Sequence, residues 1–131
     1  MAEAVGRELG ARGVVVVCGG LGGVMEAACR GAKEAGGATV GILPGTDRSA
    51  ANRFVDVAIP TGLGEARNAL VVRAADALIA IGGGYGTLSE IAFALKAGKR
   101  VAGIGTWEIE GVERADSPEA AVEAVLRDPS T

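Results

Sequence analysis

The chain has 131 residues, 49% of them apolar and 22% charged, which marks a globular single domain with a core of its own rather than a disordered segment. A net charge of −3 offers no basic surface for nucleic acid, no stretch approaches the ~20 apolar residues of a membrane span, and the opening residues do not read as a signal peptide. Histidine is missing altogether, which excludes histidine triads, histidine general bases and histidine metal ligands.

In chain order, residues 2–11 (AEAVGRELGA) place Val5 and Leu9 four apart between charges and predict a helix. VVVVC at 14–18 is a continuous β-branched run, the pattern of a strand buried on both faces. GGLGG follows, and a helix is expected over 24–35, closed by Gly36 and Gly37. ATVGILP (38–44) predicts a second buried strand. Residues 45–54 read as a solvated polar connection, although they carry Arg48 and Arg53, and 55–60 as a shorter strand. A helix over 64–75 leads to the strong strand ALIAIG (77–82), the turn GGGYGT, a helix over 87–97 closed by Gly98, and a strand over 99–105. The last helix is expected over 116–128, with Ser117 as N-cap, Pro118 at the first helical position and Glu119 in the first turn.

Strands alternating with helices predict a mostly parallel sheet between two helical layers, a Rossmann-like αβα domain of the α/β class over residues 1–131. Doubly wound folds normally start with the strand that lies at the sheet centre, whereas this sequence starts within a helix. Unpaired ladder groups are costly when buried. The expectation is therefore that a strand from a partner chain, or rearranged pairing, fills the centre. The two cysteines, Cys18 and Cys29, match neither a disulfide framework nor a zinc pattern; they read as small buried thiols in a reducing cytoplasm.

Two of the connections are dense in glycine: Gly19, Gly20, Gly22 and Gly23 after one strand, and Gly82, Gly83, Gly84 and Gly86, with Tyr85 and Thr87, after another. Such turns can serve close helix–strand packing alone. They also let a phosphate approach backbone N–H groups at a helix start, where the dipole favours an anion. In a parallel sheet both turns open at the carboxyl edge, where ligands bind. Neither is a P-loop, since no Gly-Lys-Ser/Thr follows, and the first lacks the G-x-G-x-x-G form. The expected ligand is thus a small phosphorylated molecule. Glu90 lies three residues past Thr87 and is expected in the first turn of its helix, where the dipole favours a carboxylate but an anion does not, so it should face another part of the ligand. Arg67 and Asn68 open the preceding helix at the same sheet edge, an arginine set against the dipole. Trp107 follows a strand end and reads as packing.

GGGYGTLSE resembles the Pro-Gly-Gly-x-Gly-Thr-x-x-Glu motif of the LONELY GUY family, once labelled "lysine decarboxylase". CGGLGGVMEAACRGAKEAGG resembles that family's first glycine segment, which adds Met25 to the expected binding residues, and GEARNALVVRAADALIAIGGG resembles its arginine-bearing helix and strand. The resemblance implies a phosphoribohydrolase that cleaves the N-glycosidic bond of a cytokinin nucleoside 5′-monophosphate. The glycine turn would hold the phosphate, Arg67 would orient the sugar phosphate, and Glu90 would stabilise oxocarbenium charge or position water. Gly82 replaces the motif proline, Arg67-Asn68 replaces an Arg-Lys pair, and Ser89 stands where those enzymes carry a second glutamate. These departures are closer to a bacterial branch that includes molybdenum cofactor carriers, which bind a pterin phosphate without necessarily turning it over. No metal and no required cofactor are implied; the bound species would be a nucleotide monophosphate or the molybdenum cofactor. The resemblance also implies a homodimer or higher homo-oligomer.

Overall fold

The computed structural model describes residues 1–127. Five helices, α1 (Ala2–Ala11), α2 (Val24–Glu34), α3 (Arg67–Ala74), α4 (Tyr85–Lys96) and α5 (Pro118–Leu126), alternate with strands β1 (Val16–Cys18), β2 (Thr39–Leu43), β3 (Val57–Pro60), β4 (Ala77–Ile81), β5 (Arg100–Ile104) and β6 (Val112–Arg114). All strand pairs are parallel, and the fold is the expected Rossmann-like αβα arrangement. Single 3-10 turns occupy Arg48–Ala50 and Gly64–Ala66, so the helix expected from residue 64 is regular only from Arg67. The short strand β6 was not foreseen, because three residues, Val-Glu-Arg, carry no readable period.

Local chemistry closes the helices where the sequence indicates. At the end of α2, Gly36 takes φ +79°; its N–H donates to Lys33 O at 3.1 Å, and the N–H of Gly37 donates to Ala32 O at 2.8 Å. This paired arrangement satisfies two terminal carbonyls and needs a left-handed residue at Gly36. At the start of α5, the Ser117 hydroxyl accepts from the Ala120 N–H at 3.1 Å. The expected end of α5 at residue 128 lies outside the described residues.

The centre of the sheet departs from expectation. The strands form two separate sheets, β1-β2-β3 and β4-β5-β6, with no ladder between β1 and β4. Rearranged pairing does not fill the middle, and a cleft of about 1470 Å³ runs between the two edges. Helices cause this. On one face α1 joins Val5 and Leu9 to the cluster of Ala102, Ile104, Ala121 and Val122 on β5 and α5, while its other side lies on α2. On the opposite face α3 contacts β1, β2 and α4, and Val72 packs with Ile91, Ala94 and Val101. The facing edges of β1 and β4 line this cleft, so of the two expected ways to fill the centre a strand from a partner chain is the one left standing.

Candidate ligand-binding site

Residues 19–23 leave β1 and enter α2. Gly19 is buried beneath Arg67 and Met25: a Cβ there would come within 2.8 Å of both the guanidinium carbon and the Met25 sulfur. A Cβ at Gly20 would lie 2.7 Å from Leu43 Cδ2. Above Gly22 and Gly23 there is open space. The turn is held by Asn52, whose backbone N–H donates to Gly20 O and whose Nδ2 donates to Leu21 O, both at 2.8 Å. Asn52 Oδ1 also accepts from the Phe54 N–H at 3.0 Å. The 45–54 segment is therefore a clamp on the first glycine turn, not merely a solvated connection, although Arg53 only lies over the Phe54 ring at 4.9 Å. Asn52→Ala removes the side-chain part of this clamp and should cost about 1–3 kcal/mol, read from the urea unfolding midpoint.

The second turn follows β4. Gly82 adopts φ +87° and its N–H donates to Ile104 O at 3.3 Å, so its own backbone demands glycine. Helix α4 begins at Tyr85, two residues earlier than the sequence indicates, with Gly84 as N-cap. Tyr85, Gly86 and Thr87 thus form the first helical turn and Glu90 lies in the second, which withdraws the helix-dipole role expected for it. Gly83 and Gly84 have no left-handed φ, and no atom lies within 4 Å of where their Cβ atoms would sit. Packing does not require glycine at either position. Trp107 is more than packing: its Nε1 donates to Gly84 O at 3.1 Å and its ring stacks on Tyr85 at 6.0 Å between centroids.

Arg67 and Asn68 connect the turns. Arg67 Nε donates to Ile42 O at 3.0 Å, and Nη1 donates to the Asn68 side-chain oxygen. Asn68 is buried; its Nδ2 donates to Ser89 Oγ at 3.2 Å, and that hydroxyl donates to Gly86 O at 2.8 Å. Ser89 so fixes the start of α4 to α3. Burial pushes the Glu90 carboxyl above its ordinary range, partly offset by the charge of Arg67. Below the ordinary carboxylate pKa the group is protonated in both folded and unfolded chains and imposes no penalty. As pH rises through the raised folded pKa, ionisation in the buried setting costs stability. Glu90→Gln should accordingly melt higher than the wild type at pH 8, with the difference shrinking toward pH 4. A wild type more stable at pH 8 would show that attraction to Arg67 outweighs burial.

The carboxyl end of the cleft gathers Gly19, Met25, Arg67, Asn68, Gly82, Gly83, Gly84, Gly86, Thr87 and Glu90 on one lining. Gly20, Gly22, Gly23 and Tyr85 do not line it; Gly20 serves the backbone path beside Leu43. Cys18, Asn52 and Ser89 escaped sequence reasoning as site residues. Only Ser89 carried a signal, as a departure within a motif. Among the described residues no group of three or more His, Cys, Asp or Glu side chains is placed to hold a metal, and no helix is long and apolar enough to cross a membrane.

Comparison with known proteins agrees with this layout. The molybdenum cofactor binding protein of the phototrophic bacterium Rippkaea orientalis is similar over 93% of this chain and 82% of its own, with 41% identity and a TM-score of 0.88. The molybdenum cofactor carrier protein of Chlamydomonas reinhardtii matches 95% of this chain and 83% of its own, with 38% identity and a TM-score of 0.87. A rice (Oryza sativa subsp. japonica) protein, probable cytokinin riboside 5'-monophosphate phosphoribohydrolase LOGL9, is 34% identical over 90 residues; the match spans 66% of this chain but 40% of the rice protein. The profile of the SLOG cluster4 family (LDcluster4) matches residues 1–128. The chain belongs to the SLOG cluster4 family, a LONELY GUY-like member that resembles the molybdenum cofactor carriers.

Proposed function

We propose that the chain binds a small phosphorylated ligand bearing a planar heterocycle, a pterin phosphate of the molybdenum cofactor type, and holds it without cleaving it. The observation that carries this reading is the open space over Gly83 and Gly84. Neither backbone angle nor neighbour calls for glycine there, so the missing Cβ atoms serve a group that approaches from outside. A phosphate on this turn meets the N–H groups at the start of α4 and the fixed charge of Arg67. The Tyr85–Trp107 pair offers an aromatic face beside it for a fused ring. Similarity to two molybdenum cofactor proteins over more than nine-tenths of the chain supports the same ligand class. Leu70 on α3 and Phe93 on α4 are exposed large apolar side chains, and we read them as part of a homo-oligomer contact, tested by light scattering of L70K and F93K.

The second reading is hydrolysis of a nucleoside 5′-monophosphate to base and ribose 5-phosphate. It is favoured by the half-buried Glu90 carboxyl on the same cleft, a position suited to proton transfer or to an oxocarbenium centre. Glycosidases generally employ two flanking carboxyl groups. Here the other acidic residue on the lining, Asp76, precedes β4 and lies at the opposite end of the strand from Gly82.

The test exposes wild type and Gly84→Val to molybdopterin and to AMP. Molybdopterin at 100 times its dissociation constant should stabilise the wild type by ~2.7 kcal/mol. Gly84→Val should melt near the unliganded wild type yet gain nothing from the ligand, and AMP should yield no ribose 5-phosphate. Ribose 5-phosphate release that disappears in Glu90→Gln would install the second reading instead. Equal ligand stabilisation in wild type and Gly84→Val would remove the cradle altogether.

A further inference from the structure

Beside the glycine turn lies chemistry that ligand binding does not use. Cys18 ends β1, Cys29 lies in the second turn of α2, and both are free thiols with their sulfurs 3.6 Å apart. Their access differs sharply. Cys29 is 0% exposed, whereas Cys18 lines the cleft. The Gly20 N–H donates to Cys18 Sγ at 3.3 Å, and Arg67 and Glu90 are the charged groups that act on it. Hydrogen bonding from Cys29, then from Gly20, with the charge of Arg67, outweighs burial and Glu90 and lowers the Cys18 thiol to about 7. Proximity to Cys18, together with burial, pushes Cys29 up.

We infer that Cys18 and Cys29 form a thiol–disulfide exchange site, with Cys18 attacking a small disulfide such as glutathione disulfide and Cys29 resolving the product. The Cys18 thiolate attacks one sulfur of the small disulfide, forming a mixed disulfide and releasing one thiolate. Cys29 then gives up its proton, which the released thiolate takes, and its sulfur attacks Cys18 Sγ. The Cys18–Cys29 bond forms, the mixed disulfide breaks, and a second thiolate leaves; two protein thiols are oxidised and one small disulfide is reduced. Because Cys29 is sealed from solvent, entry runs through Cys18, and because its sulfur lies 3.6 Å from Cys18 Sγ the resolving thiol is already within reach. In a reducing compartment such a pair is a redox-responsive device rather than a structural staple. Closure ties the end of β1 to α2 and removes a thiolate from beside Arg67.

Cys18 shares the cleft with the ligand site, but the inference does not depend on the ligand proposal and is tested without any ligand. The full chain is incubated with glutathione disulfide, and free thiols and intact mass are measured before and after dithiothreitol. The wild type should lose both thiols without an adduct, recovering both on reduction. Cys29→Ser, and Cys29→Ala as a second variant should serine disturb the core, should each retain one glutathione on Cys18. Cys18→Ser should be unreactive until unfolded. A glutathione adduct persisting on the wild type, two thiols that stay free, or a native Cys18→Ser that reacts at Cys29 would each overturn the inference.

Discussion

Gly31→Ala is expected to lower stability by about 3 kcal/mol, the upper end of overpacking costs, and Gly31→Val to leave no folded chain. A Cβ at Gly31 would fall on the Glu3 carbonyl, 2.8 Å from its carbon and 2.9 Å from the Arg7 nitrogen. A Cβ at Gly6 would fall on the Ala28 carbonyl, 2.8 Å from its carbon, and one at Gly10 would lie 2.7 Å from Ala32 O. These are backbone atoms and cannot swing aside, so α1 and α2 meet backbone to backbone. Glycine inside a helix costs roughly 0.5–1 kcal/mol against alanine, and three such residues are tolerable only because they permit this approach. The damage would not stay local. With no ladder between β1 and β4, α1 is one of two helices joining the sheets, and forcing it off α2 loosens both halves. Gly45, with open space around it and no left-handed φ, is the control: Gly45→Ala should change stability by no more than about 0.5 kcal/mol, read from the urea midpoint. Equal midpoints for Gly31→Ala and Gly45→Ala would refute the close crossing.

What the sequence makes legible is whatever local physics writes. Of VVVVC only Val16–Cys18 is strand, with Val14 and Val15 outside it, and of ALIAIG Ala77–Ile81; both are apolar runs that suit the sheet although they are largely half-buried rather than sealed on two faces, and Ser117-Pro118 starts a helix because the cap hydroxyl and fixed φ act within four residues. The start of α4 was obscured by the glycines themselves. Gly84 and Gly86 have low helix propensity, and what secures the turn reaches in from a distance: Trp107 donates to Gly84 O, and Asn68 holds the Ser89 hydroxyl that donates to Gly86 O. Moving the start by two residues changes the reading of Glu90 from a dipole-stabilised carboxylate to a half-buried one on the cleft. The Asn52 clamp and the close approaches of Gly6 to Ala28 and of Gly31 to Glu3 are illegible for the same reason, since each depends on a partner more than twenty residues away. Of the two ways expected to fill the sheet centre, rearranged pairing within the chain does not occur, because α1 and α3 rather than a strand ladder join the two sheets.

The other large effect falls on affinity. Arg67→Ala should weaken binding of molybdopterin at least about 100-fold, or ~2.7 kcal/mol, measured by calorimetry. Arg67 is not a free surface charge. Ile42 O holds its Nε, Asn68 holds Nη1, and Nη2 lies over Gly19 at the carboxyl end of the cleft. A guanidinium fixed on two edges presents its remaining donors to an incoming anion with its side-chain entropy already lost, which is the condition under which an arginine contributes most. Lysine cannot reproduce that fork, so Arg67→Lys should recover only about tenfold of the loss. Asn68→Ala provides the positioning test: it leaves the charge but frees Nη1 and unties Ser89, and it should weaken binding less than Arg67→Ala while also lowering the melting temperature. If Arg67→Ala bound as tightly as the wild type, the anion would have to rest on the backbone of Gly83 and Gly84 alone. The built geometry around this side chain would then serve the fold, tying α3 to β2 across the mouth of the open cleft.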